Sequence, residues 1–486
     1  MYLINKNHKF HYETENLLRV FFPEKITVSE EIPENEDYCL ISLDGSTVTV
    51  SVRLLGKEYS VTENFELSEM LSDDTEDSYL ERKTALAMYR LLCDITSYTP
   101  PWGILTGVRP AKLMSNLSAS YGEKGAEKYF TDELKVSADK TALAMSVAKK
   151  EAPIIKASEP DSYSLYVSIP FCPTRCSYCS FISHSNESAK KLIPEYVEKL
   201  CQELEATGRI AKELNLKLES IYIGGGTPSV LTAEQLKRVT DAISGNFDVL
   251  SVREYTIEAG RPDSTTKEKL EVMKGCGCTR ISINPQTFND DVLKEIGRNH
   301  TAQMTLDCFS EAREVGFDNI NTDLIAGLPA DTLESYEKTL DKAIELSAEN
   351  ITVHTLALKR SSNIVTESRK TNSGIVASEM LSLTQKKLTE AGYVPYYMYR
   401  QSKCLGNLEN VGWTKESYEC LYNVYMMEEC HTVLAVGAGA VIKLKAPESK
   451  EIERIFNYKY PYEYISGFDE IIRRKDYIGE FYRKYR

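Results

Sequence analysis

SLYVSIPFCPTRCSYCSF, residues 164–181, joins an apolar strand pattern to three closely spaced cysteines. The alternation at its start predicts a β-strand, and its end contains Cys172, Cys176 and Cys179 in the spacing C-x3-C-x2-C. Three thiolates on one loop are soft ligands that suit an iron–sulfur cluster or zinc. A closed zinc site needs four protein ligands, whereas three cysteines leave one iron of a cubane open to a small molecule. Two alternatives stay open, a zinc site completed by His184 and three cysteines packed in a core.

The composition is that of a soluble globular chain. Its 486 residues predict two or three domains, no apolar run approaches a membrane span, and the sequence from Met1 lacks a signal-peptide pattern. The net charge of −14 argues against a general nucleic-acid binder, because phosphate contacts need a basic face. We therefore expect a cytoplasmic protein with no membrane span and no nucleic-acid partner. Its 12 cysteines should be thiols or metal ligands rather than disulfides.

The pattern of elements predicts three domains. Residues 1–157 are predicted to form an α+β domain, with a linker at Lys149–Asp161. Residues 158–360 alternate strand and helix six times, which predicts an α/β fold with a parallel sheet, here a partial (βα)6 barrel. Residues 361–486 are predicted to form a mostly helical C-terminal domain that covers the barrel. The six barrel strands are predicted at Ser164–Ile169, Ser220–Ile223, Glu254–Glu258, Arg280–Asn284, Asn319–Ile325 and Ile351–Leu356.

Residues suited to binding a nucleoside amino acid lie at or just after the ends of five consecutive predicted strands. The three cysteines follow the first of these strands. GGGTP at 224–228 follows the second strand, and glycines let backbone groups approach a ligand closely. Glu258 ends the third strand and can accept from an ammonium group, while Arg298, after Gln286 and the fourth strand, matches a carboxylate. Asp323 in the fifth strand can accept from ribose hydroxyls. Because parallel strands bring their carboxyl ends to one edge, we expect these side chains to form one site.

Several of these segments resemble one protein family. LYVSIPFCPTRCSYCSF, GGGTP, IEAGRPD, RISINPQTFN, IGRNH and TDLIAGLP are similar to the coproporphyrinogen-oxidase branch of the radical S-adenosylmethionine (SAM) superfamily, over about residues 160–445. That branch comprises oxygen-independent coproporphyrinogen III oxidases, heme chaperones and anaerobic heme-opening enzymes. The segments TGVRP, YYMYRQ and GNLENVGW resemble the longer HemZ-type coproporphyrinogen dehydrogenases in particular.

The resemblance implies cofactors, site residues and a reaction. It implies a [4Fe–4S] cluster on Cys172, Cys176 and Cys179, with one or two SAM molecules and no further catalytic residue. An electron from a donor such as flavodoxin or ferredoxin would cleave SAM to a 5′-deoxyadenosyl radical, which takes hydrogen from a propionate of coproporphyrinogen III. Loss of carbon dioxide and one electron would then leave the vinyl groups of protoporphyrinogen IX. The residues that the resemblance assigns to SAM are Tyr166, Tyr178, Gly225, Gly226, Thr227, Glu258, Gln286, Arg298, Asp323 and Ala357.

Two positions differ from the oxidase pattern. Phe181 stands where the oxidase has a further cysteine, and Ser168 stands where it has a histidine. The heme chaperones carry Phe at the first position, but their His-Asn-x-x-Tyr-Trp signature has no counterpart here, and the nearest stretch, Gly406–Trp413, lacks the histidine. The sequence therefore favours a coproporphyrinogen III dehydrogenase, with a heme-binding chaperone-like protein or a radical enzyme for another tetrapyrrole as alternatives.

Each of these functions needs particular side chains. A heme-binding protein needs axial ligands, and a decarboxylase needs cations for the propionates of its substrate. The candidate heme ligands are His354, His431 and Cys404, and the candidate cations are Lys359, Arg360 and Arg400.

Overall fold

The chain folds into two compact units, each with its own β-sheet. The computed structural model describes residues 1–23, 26–72, 74–179, 189, 191–367, 371–401 and 403–486. The first unit comprises Met1–Ala148 and Tyr399–Leu408. The second comprises Lys149–Met398 and Glu409–Arg486.

The first unit is an α+β structure on a five-stranded sheet with the strand order β2-β1-β3-β4-β5. Along β4, Val48, Val50 and Val52 are buried while the residues between them are partly exposed, so one face of the sheet covers the core. The strands are β1 (Tyr2–Lys6), β2 (Thr27–Val28), β3 (Tyr38–Asp44), β4 (Thr47–Leu54) and β5 (Lys57–Asn64). The helices are α1 (His11–Phe21), α2 (Glu76–Thr96), α3 (Pro110–Lys128) and α4 (Ala138–Lys156).

The predicted linker at Lys149–Asp161 is helical over most of its length. Helix α4 continues to Lys156 with Pro153 inside it. The charged residues that suggested a linker include the solvent side of this helix, since Lys149 is exposed while Ile154 is buried. The boundary between the compact units therefore falls inside α4, between Ala148 and Lys149.

The second unit contains the predicted parallel sheet. All six predicted strands are present within three residues of their expected bounds and lie side by side in chain order, which confirms the α/β fold with a partial (βα)6 barrel. They are β6 (Ser162–Ile169), β7 (Lys217–Gly225), β8 (Glu254–Gly260), β9 (Arg280–Ile283), β10 (Ile320–Ala326) and β11 (Asn350–Thr355). The helices that follow them are α5 (Ile193–Glu213), α6 (Ala233–Asn246), α7 (Lys267–Gly275), α8 (Asp290–Glu295), α9 (Ala302–Val315), α10 (Leu333–Glu345), α11 (Asn363–Thr366) and α12 (Gly374–Glu390). Within the described ranges, every helix is too short or too polar to cross a bilayer.

The C-terminal stretch extends this sheet and does not fold as the separate domain that we expected from residue 361. One of its strands pairs antiparallel with β11 and another pairs parallel with β6, so both edges of the six-stranded sheet are covered. The added strands are β12 (Val394–Arg400), β13 (Glu409–Thr414), β14 (Thr432–Val436), β15 (Val441–Lys445) and β16 (Ile452–Phe456). The added helices are α13 (Leu421–Glu428), α14 (Pro461–Ser466), α15 (Phe468–Arg474) and α16 (Asp476–Tyr485).

A buried ion pair fastens the C-terminal helices to the barrel. Lys475 Nζ lies 2.9 Å from Glu203 Oε1, and both side chains are essentially inaccessible to solvent. Oε2 of Glu203 accepts from the Gly437 amide at 2.8 Å and from the Tyr464 hydroxyl at 2.6 Å. Each carboxylate oxygen therefore has partners, as a buried charge requires.

Replacing Lys475 with methionine should destabilise the fold because it leaves the Glu203 carboxylate buried without its counter-charge. Removing one partner of a buried pair lowers the free energy of unfolding by about 3–5 kcal/mol. Thermal and denaturant unfolding of Lys475→Met measure this loss. Lys484→Met is the matched control, since Lys484 pairs with Glu453 at the surface, and its unfolding should match wild type. Equal unfolding of both variants would show that the buried pair does not stabilise the fold.

Candidate active site

The Cys loop, residues 170–179, leaves the carboxyl end of β6 and is held by segments that follow other strands. Cys176 is buried, Cys172 and Cys179 are partly exposed, and all three are free of disulfides. The amide of Ser177 donates to the Ile296 carbonyl at 2.9 Å, and the Ser177 carbonyl accepts from the amide of Ile364 at 3.0 Å. The three thiols therefore lie on a loop fixed on both sides, at the edge where parallel sheets carry their chemistry.

Arg261 clamps the middle of the Cys loop. Its Nη1 donates to Thr174 Oγ1 at 2.6 Å and to the Thr174 carbonyl at 3.3 Å. Its Nε and Nη2 donate to the two oxygens of Asp263 at 2.9 and 2.7 Å. The bidentate pair with Asp263 orients the guanidinium of Arg261 toward the loop. Arg261 is 3% exposed. The sequence did not identify Arg261 as a site residue, although it lies in IEAGRPD, one of the segments that resemble the family.

The Gly turn, residues 224–228, packs directly against the start of the Cys loop. The amide of Gly226 donates to the Ile169 carbonyl at 2.7 Å, and the amide of Thr227 donates to the Phe171 carbonyl at 2.8 Å. A Cβ at Gly226 would lie 2.5 Å from the Phe171 oxygen, so only glycine fits. The hydroxyl of Thr227 lies 3.5 Å from Cys172 Sγ. We expected these glycines to admit a ligand, and the structure gives Gly226 a packing role as well.

Arg298 and Tyr178 form a buried pair behind the cysteines. Arg298 Nη2 donates to the Tyr178 hydroxyl at 2.9 Å, and Nη1 donates to the Asn284 carbonyl at 3.3 Å. Burial raises the pKa of the Tyr178 phenol, which therefore stays neutral. Burial opposes the charge of Arg298, but its surroundings, among them the hydrogen bond to Tyr178, outweigh burial and raise the pKa of Arg298. A permanent cation thus lies beside the Cys loop, and its Nε has no partner among the described residues.

Glu258 is a buried carboxyl group at the end of β8. The Tyr222 hydroxyl donates to its Oε1 at 2.5 Å, and a Cβ on Gly224 would lie 3.0 Å from its Cδ. Burial raises the pKa of Glu258 to about 7, although the Tyr222 hydrogen bond acts in the opposite direction. The negative charge of Asp323 raises this pKa further, while Arg280 and His354 lower it. Glu258 therefore changes charge near neutral pH.

Asp323 on β10 stays ionised because its surroundings favour the carboxylate. Asn321 Nδ2 donates to its Oδ1 at 2.7 Å, and His354 Nε2 lies 3.7 Å from its Oδ2. Burial alone would raise the pKa of Asp323, but these two neighbours and Arg280 lower it below its usual value. Sequence reasoning considered His354 only as a heme ligand. Its place beside Asp323 follows from the parallel register of β10 and β11, in which it pairs with Ile325.

Three tyrosine rings stack next to Glu258. The rings of Tyr166 and Tyr222 are 6.3 Å apart, and Tyr422, which comes from α13, lies 5.9 Å from the first and 4.5 Å from the second. Their planes are within 24° of one another. Burial raises the pKa of all three phenols. Tyr422 was not identified from the sequence, since it lies far outside the barrel segments.

The two remaining SAM candidates follow β9 and β11. Gln286 is buried and has a φ of 73°, a conformation that non-glycine residues rarely adopt. Its amide donates to the Asp323 carbonyl at 2.9 Å, which carries the sheet pairing past the end of β9. Ala357 is partly exposed after β11, and its carbonyl accepts from the Lys359 amide at 3.1 Å.

Several predicted candidates lie elsewhere. Arg400 is buried in the first unit, where Nη1 donates to the Leu105 carbonyl at 2.6 Å, so it fixes the TGVRP segment rather than exposing a cation. His431 is also buried, with Ser158 Oγ at 2.9 Å from Nδ1 and Ser164 Oγ at 2.8 Å from Nε2, so neither nitrogen is open to a heme. Cys404 is buried in the first unit. Phe181 and His184 lie outside the described residues.

The donors fit an iron–sulfur cluster better than a closed metal site. In the described part of the chain, no three Cys, His, Asp or Glu side chains converge as a preformed metal site. The Cys loop nevertheless offers three thiols and no disulfide, the donor set of a cluster with one open iron. The carboxyl groups of Glu258 on β8 and Asp323 on β10, the Arg298 guanidinium and the tyrosine stack are groups that complement an amino acid joined to a nucleoside.

Comparison with known proteins agrees with this arrangement. The family model described as the Radical SAM superfamily matches residues 166–343. The oxygen-independent coproporphyrinogen-III oxidase-like protein HemZ of Bacillus subtilis (strain 168) is 32% identical over 489 residues, which cover 98% of this chain and 97% of that protein. The heme chaperone HemW of the same organism is 41% identical over 197 residues, which cover 40% of this chain and 51% of that protein. The structure of coproporphyrinogen III oxidase (HemN) from Escherichia coli matches with a TM-score of 0.53 and 23% identity over 67% of this chain and 73% of that one, which supports the fold.

The matched segment contains the Cys loop, the Gly turn and the strand ends that carry Glu258 and Asp323. Proteins of this superfamily use a [4Fe–4S] cluster and SAM. The match to HemZ extends over nearly the whole chain, including the first unit. The chain therefore belongs to the radical SAM superfamily, in the branch that contains HemZ and HemN.

Proposed function

We propose that this protein is an oxygen-independent coproporphyrinogen III dehydrogenase, which converts two propionates of its substrate to vinyl groups and yields protoporphyrinogen IX. The observation that carries this proposal is the fixed Cys loop, with three thiols surrounded by the carboxyl ends of the other parallel strands. The near full-length similarity to the HemZ protein supports the choice of tetrapyrrole chemistry. A flavodoxin or ferredoxin would supply the electron.

The cluster would be held by Cys172, Cys176 and Cys179, the only donors on the fixed loop that bind iron strongly as thiolates. When bound, the cluster and SAM supply a 5′-deoxyadenosyl radical by reductive cleavage of SAM. Thr227 would support Cys172 through the 3.5 Å contact from its hydroxyl to the sulfur. Arg261 would hold the loop in place through Thr174.

The chain's own side chains would bind the charged and polar ends of SAM. Glu258, as a carboxylate, would accept from the ammonium, and Arg298 would donate to the carboxylate. Asp323, kept ionised by its neighbours, would accept from ribose hydroxyls. The other proposed contacts are Tyr166, Tyr178, Gly225, Gly226, Thr227, Gln286 and Ala357.

The heme-chaperone function is a second candidate because the HemW protein of Bacillus subtilis is similar to part of this chain. Ser168 stands where the oxidase has a histidine. Its hydroxyl donates to the Ala438 carbonyl at 2.9 Å, so it contacts the turn between β14 and β15. The Ser168 hydroxyl therefore cannot replace the imidazole of that histidine. Against the chaperone function, the histidine of the heme signature is missing, and His431 is fully engaged.

The assay that separates these functions is an anaerobic incubation with coproporphyrinogen III, SAM and a strong reductant. The dehydrogenase should form protoporphyrinogen IX together with 5′-deoxyadenosine, and Cys176→Ala should form neither. If wild type cleaves SAM but makes no protoporphyrinogen, the substrate is another tetrapyrrole or the protein is a chaperone. Titration with heme then decides, since a chaperone binds it stoichiometrically.

Removing any one of the three cysteines should abolish stable cluster binding, because a cubane keeps its place through all three thiolates. Iron content and iron–sulfur absorbance of anaerobically reconstituted Cys172→Ala, Cys176→Ala and Cys179→Ala measure this loss. Cys201→Ala is the matched control, since Cys201 lies on α5 and should leave iron content unchanged. Stoichiometric zinc in place of iron in the wild type would contradict the assignment.

SAM affinity should fall as the pH drops through about 7, the value to which burial raises the pKa of Glu258. The protonated carboxyl cannot attract an ammonium, so the interaction is present above this pKa and lost below it. Loss of a charge-assisted hydrogen bond weakens binding by roughly 10- to 100-fold. Equilibrium dialysis of the reconstituted protein measures the profile. Glu258→Gln should bind weakly and lose this acid limb, and an unchanged limb in that variant would exclude Glu258.

Arg360 and Lys359 are the remaining candidates for binding a propionate, because both follow β11, Arg360 exposed and Lys359 partly exposed, while Arg400 is buried in the first unit. Arg360→Ala should still cleave SAM but should form less protoporphyrinogen per 5′-deoxyadenosine, by about tenfold for one lost ion-pair hydrogen bond. Arg209→Ala on α5 serves as the control for charge. Unchanged coupling in Arg360→Ala would remove this residue from the substrate site.

A further inference from the structure

Arg280 is a buried cation that the proposed chemistry leaves without a role. It is the first residue of β9, and its side chain is 1% exposed. In the described part of the chain, its Nε and Nη2 have no hydrogen-bond partner. Burying a charge costs several kcal/mol, and the neighbours that favour the charged form of Arg280 are Cys420, Tyr396, Glu254 and Tyr222.

The position of Arg280 in the sheet places it near the carboxyl groups of the site. Strand residues two apart share a face, so Arg280 and Ser282 lie on the same side of β9. Ser282 Oγ accepts from Asn321 Nδ2 at 2.8 Å, and Asn321 donates to Asp323, so this is the face of the site. Arg280 pairs in register with Thr256, two residues before Glu258. Arg280 therefore lies on the same face of the sheet as Glu258 and Asp323, two residues closer to the amino ends of the strands.

The nearest acid on this lower level is already occupied. Glu254 Oε2 accepts from the amide of Leu421 at 2.8 Å, and Oε1 accepts from the amide of Tyr422 at 3.3 Å. The thiol of Cys420 also donates to Oε1, at 3.3 Å. Glu254 thus fixes the start of α13, and it also attracts the positive charge of Arg280. The same charge acts on Glu258, on the level above.

We propose that Arg280 is a positioning residue of the site, whose buried charge holds Glu258 in the carboxylate form that a cationic ligand requires. The inference rests on the proposed function in that the cation is the ammonium of SAM. The charges and phenols that face Glu258 are Tyr166 on β6, Tyr222 on β7, Arg280 on β9, Asp323 on β10, His354 on β11 and Tyr422 on α13.

Arg280 is the permanent cation of this set. The phenols stay neutral because burial raises their pKa values, and the charge of Asp323 disfavours a second carboxylate. His354 can add positive charge only when it is protonated. Without Arg280, Glu258 would hold its proton to a higher pH, whereas Asp323 would stay ionised through Asn321 and His354.

The test compares Arg280→Met, which removes the charge at similar volume, with Arg280→Lys, which keeps it. SAM affinity of the reconstituted proteins is measured by equilibrium dialysis between about pH 6 and about pH 8, on both sides of the Glu258 transition. At neutral pH, Arg280→Met should bind about tenfold more weakly, with its acid limb moved to higher pH, and Arg280→Lys should stay within about threefold of wild type. Glu258→Gln/Arg280→Met should bind no more weakly than Glu258→Gln, because Arg280 acts through Glu258.

Thermal unfolding separates this role from a structural one. Arg280→Met also removes a charge that faces the buried Glu254, so it should unfold earlier than wild type, whereas Arg280→Lys, which keeps the charge, should stay closer to wild type. Lower stability together with equal losses of SAM affinity in Arg280→Met and Arg280→Lys would overturn the inference. Wild-type SAM affinity in Arg280→Met would overturn it as well.

Titration of Glu258 itself tests the inference without SAM. The carboxylic C=O stretch that is absent from Glu258→Gln reports protonation, and its midpoint should be higher in Arg280→Met than in wild type. The same midpoint in both proteins would overturn the inference. A wild-type protein that holds iron but binds no SAM would instead overturn the proposed function, while this titration would still decide the role of Arg280.

Discussion

The active site depends on two backbone hydrogen bonds that join the Gly turn to the start of the Cys loop. The amides of Gly226 and Thr227 donate to the carbonyls of Ile169 and Phe171 at 2.7 and 2.8 Å, which continues the pairing of β6 with β7 past the strand ends. The cysteines therefore leave the sheet in a direction set by its register. Because a Cβ at Gly226 would meet the Phe171 oxygen, the approach requires glycine at this position.

The sequence was sufficient for the barrel and for the list of strand-end groups. Strand periodicity and the spacing of the cysteines are local properties, and parallel pairing then brings their carboxyl ends together. What the sequence could not show depends on contacts between distant segments. Tyr422 stacks on Tyr222 from a helix about 200 residues away in the chain, and Arg261 reaches Thr174 from another strand end. The pairing of β14 with β6 and of β13 with β11 was missed for the same reason, since it joins segments that are distant in the chain.

The charges of the site balance two opposing demands. A ligand with an ammonium and ribose hydroxyls needs carboxylates, yet burial and mutual repulsion of Glu258 and Asp323 favour their neutral forms. Asn321 and His354 keep Asp323 ionised, while Tyr222 and Arg280 act on Glu258 from two sides. The result is one carboxyl group, Asp323, whose pKa is lowered and which is charged at neutral pH, and one, Glu258, that titrates near neutral pH. Such separation of two carboxyl groups is common at functional sites.

The most direct test of this account is a crystal structure of the anaerobically reconstituted protein with SAM. The account predicts a [4Fe–4S] cluster on Cys172, Cys176 and Cys179, with the amino group of SAM at Glu258 and its ribose at Asp323. Zinc in the Cys loop, or SAM bound away from both carboxylates, would contradict it.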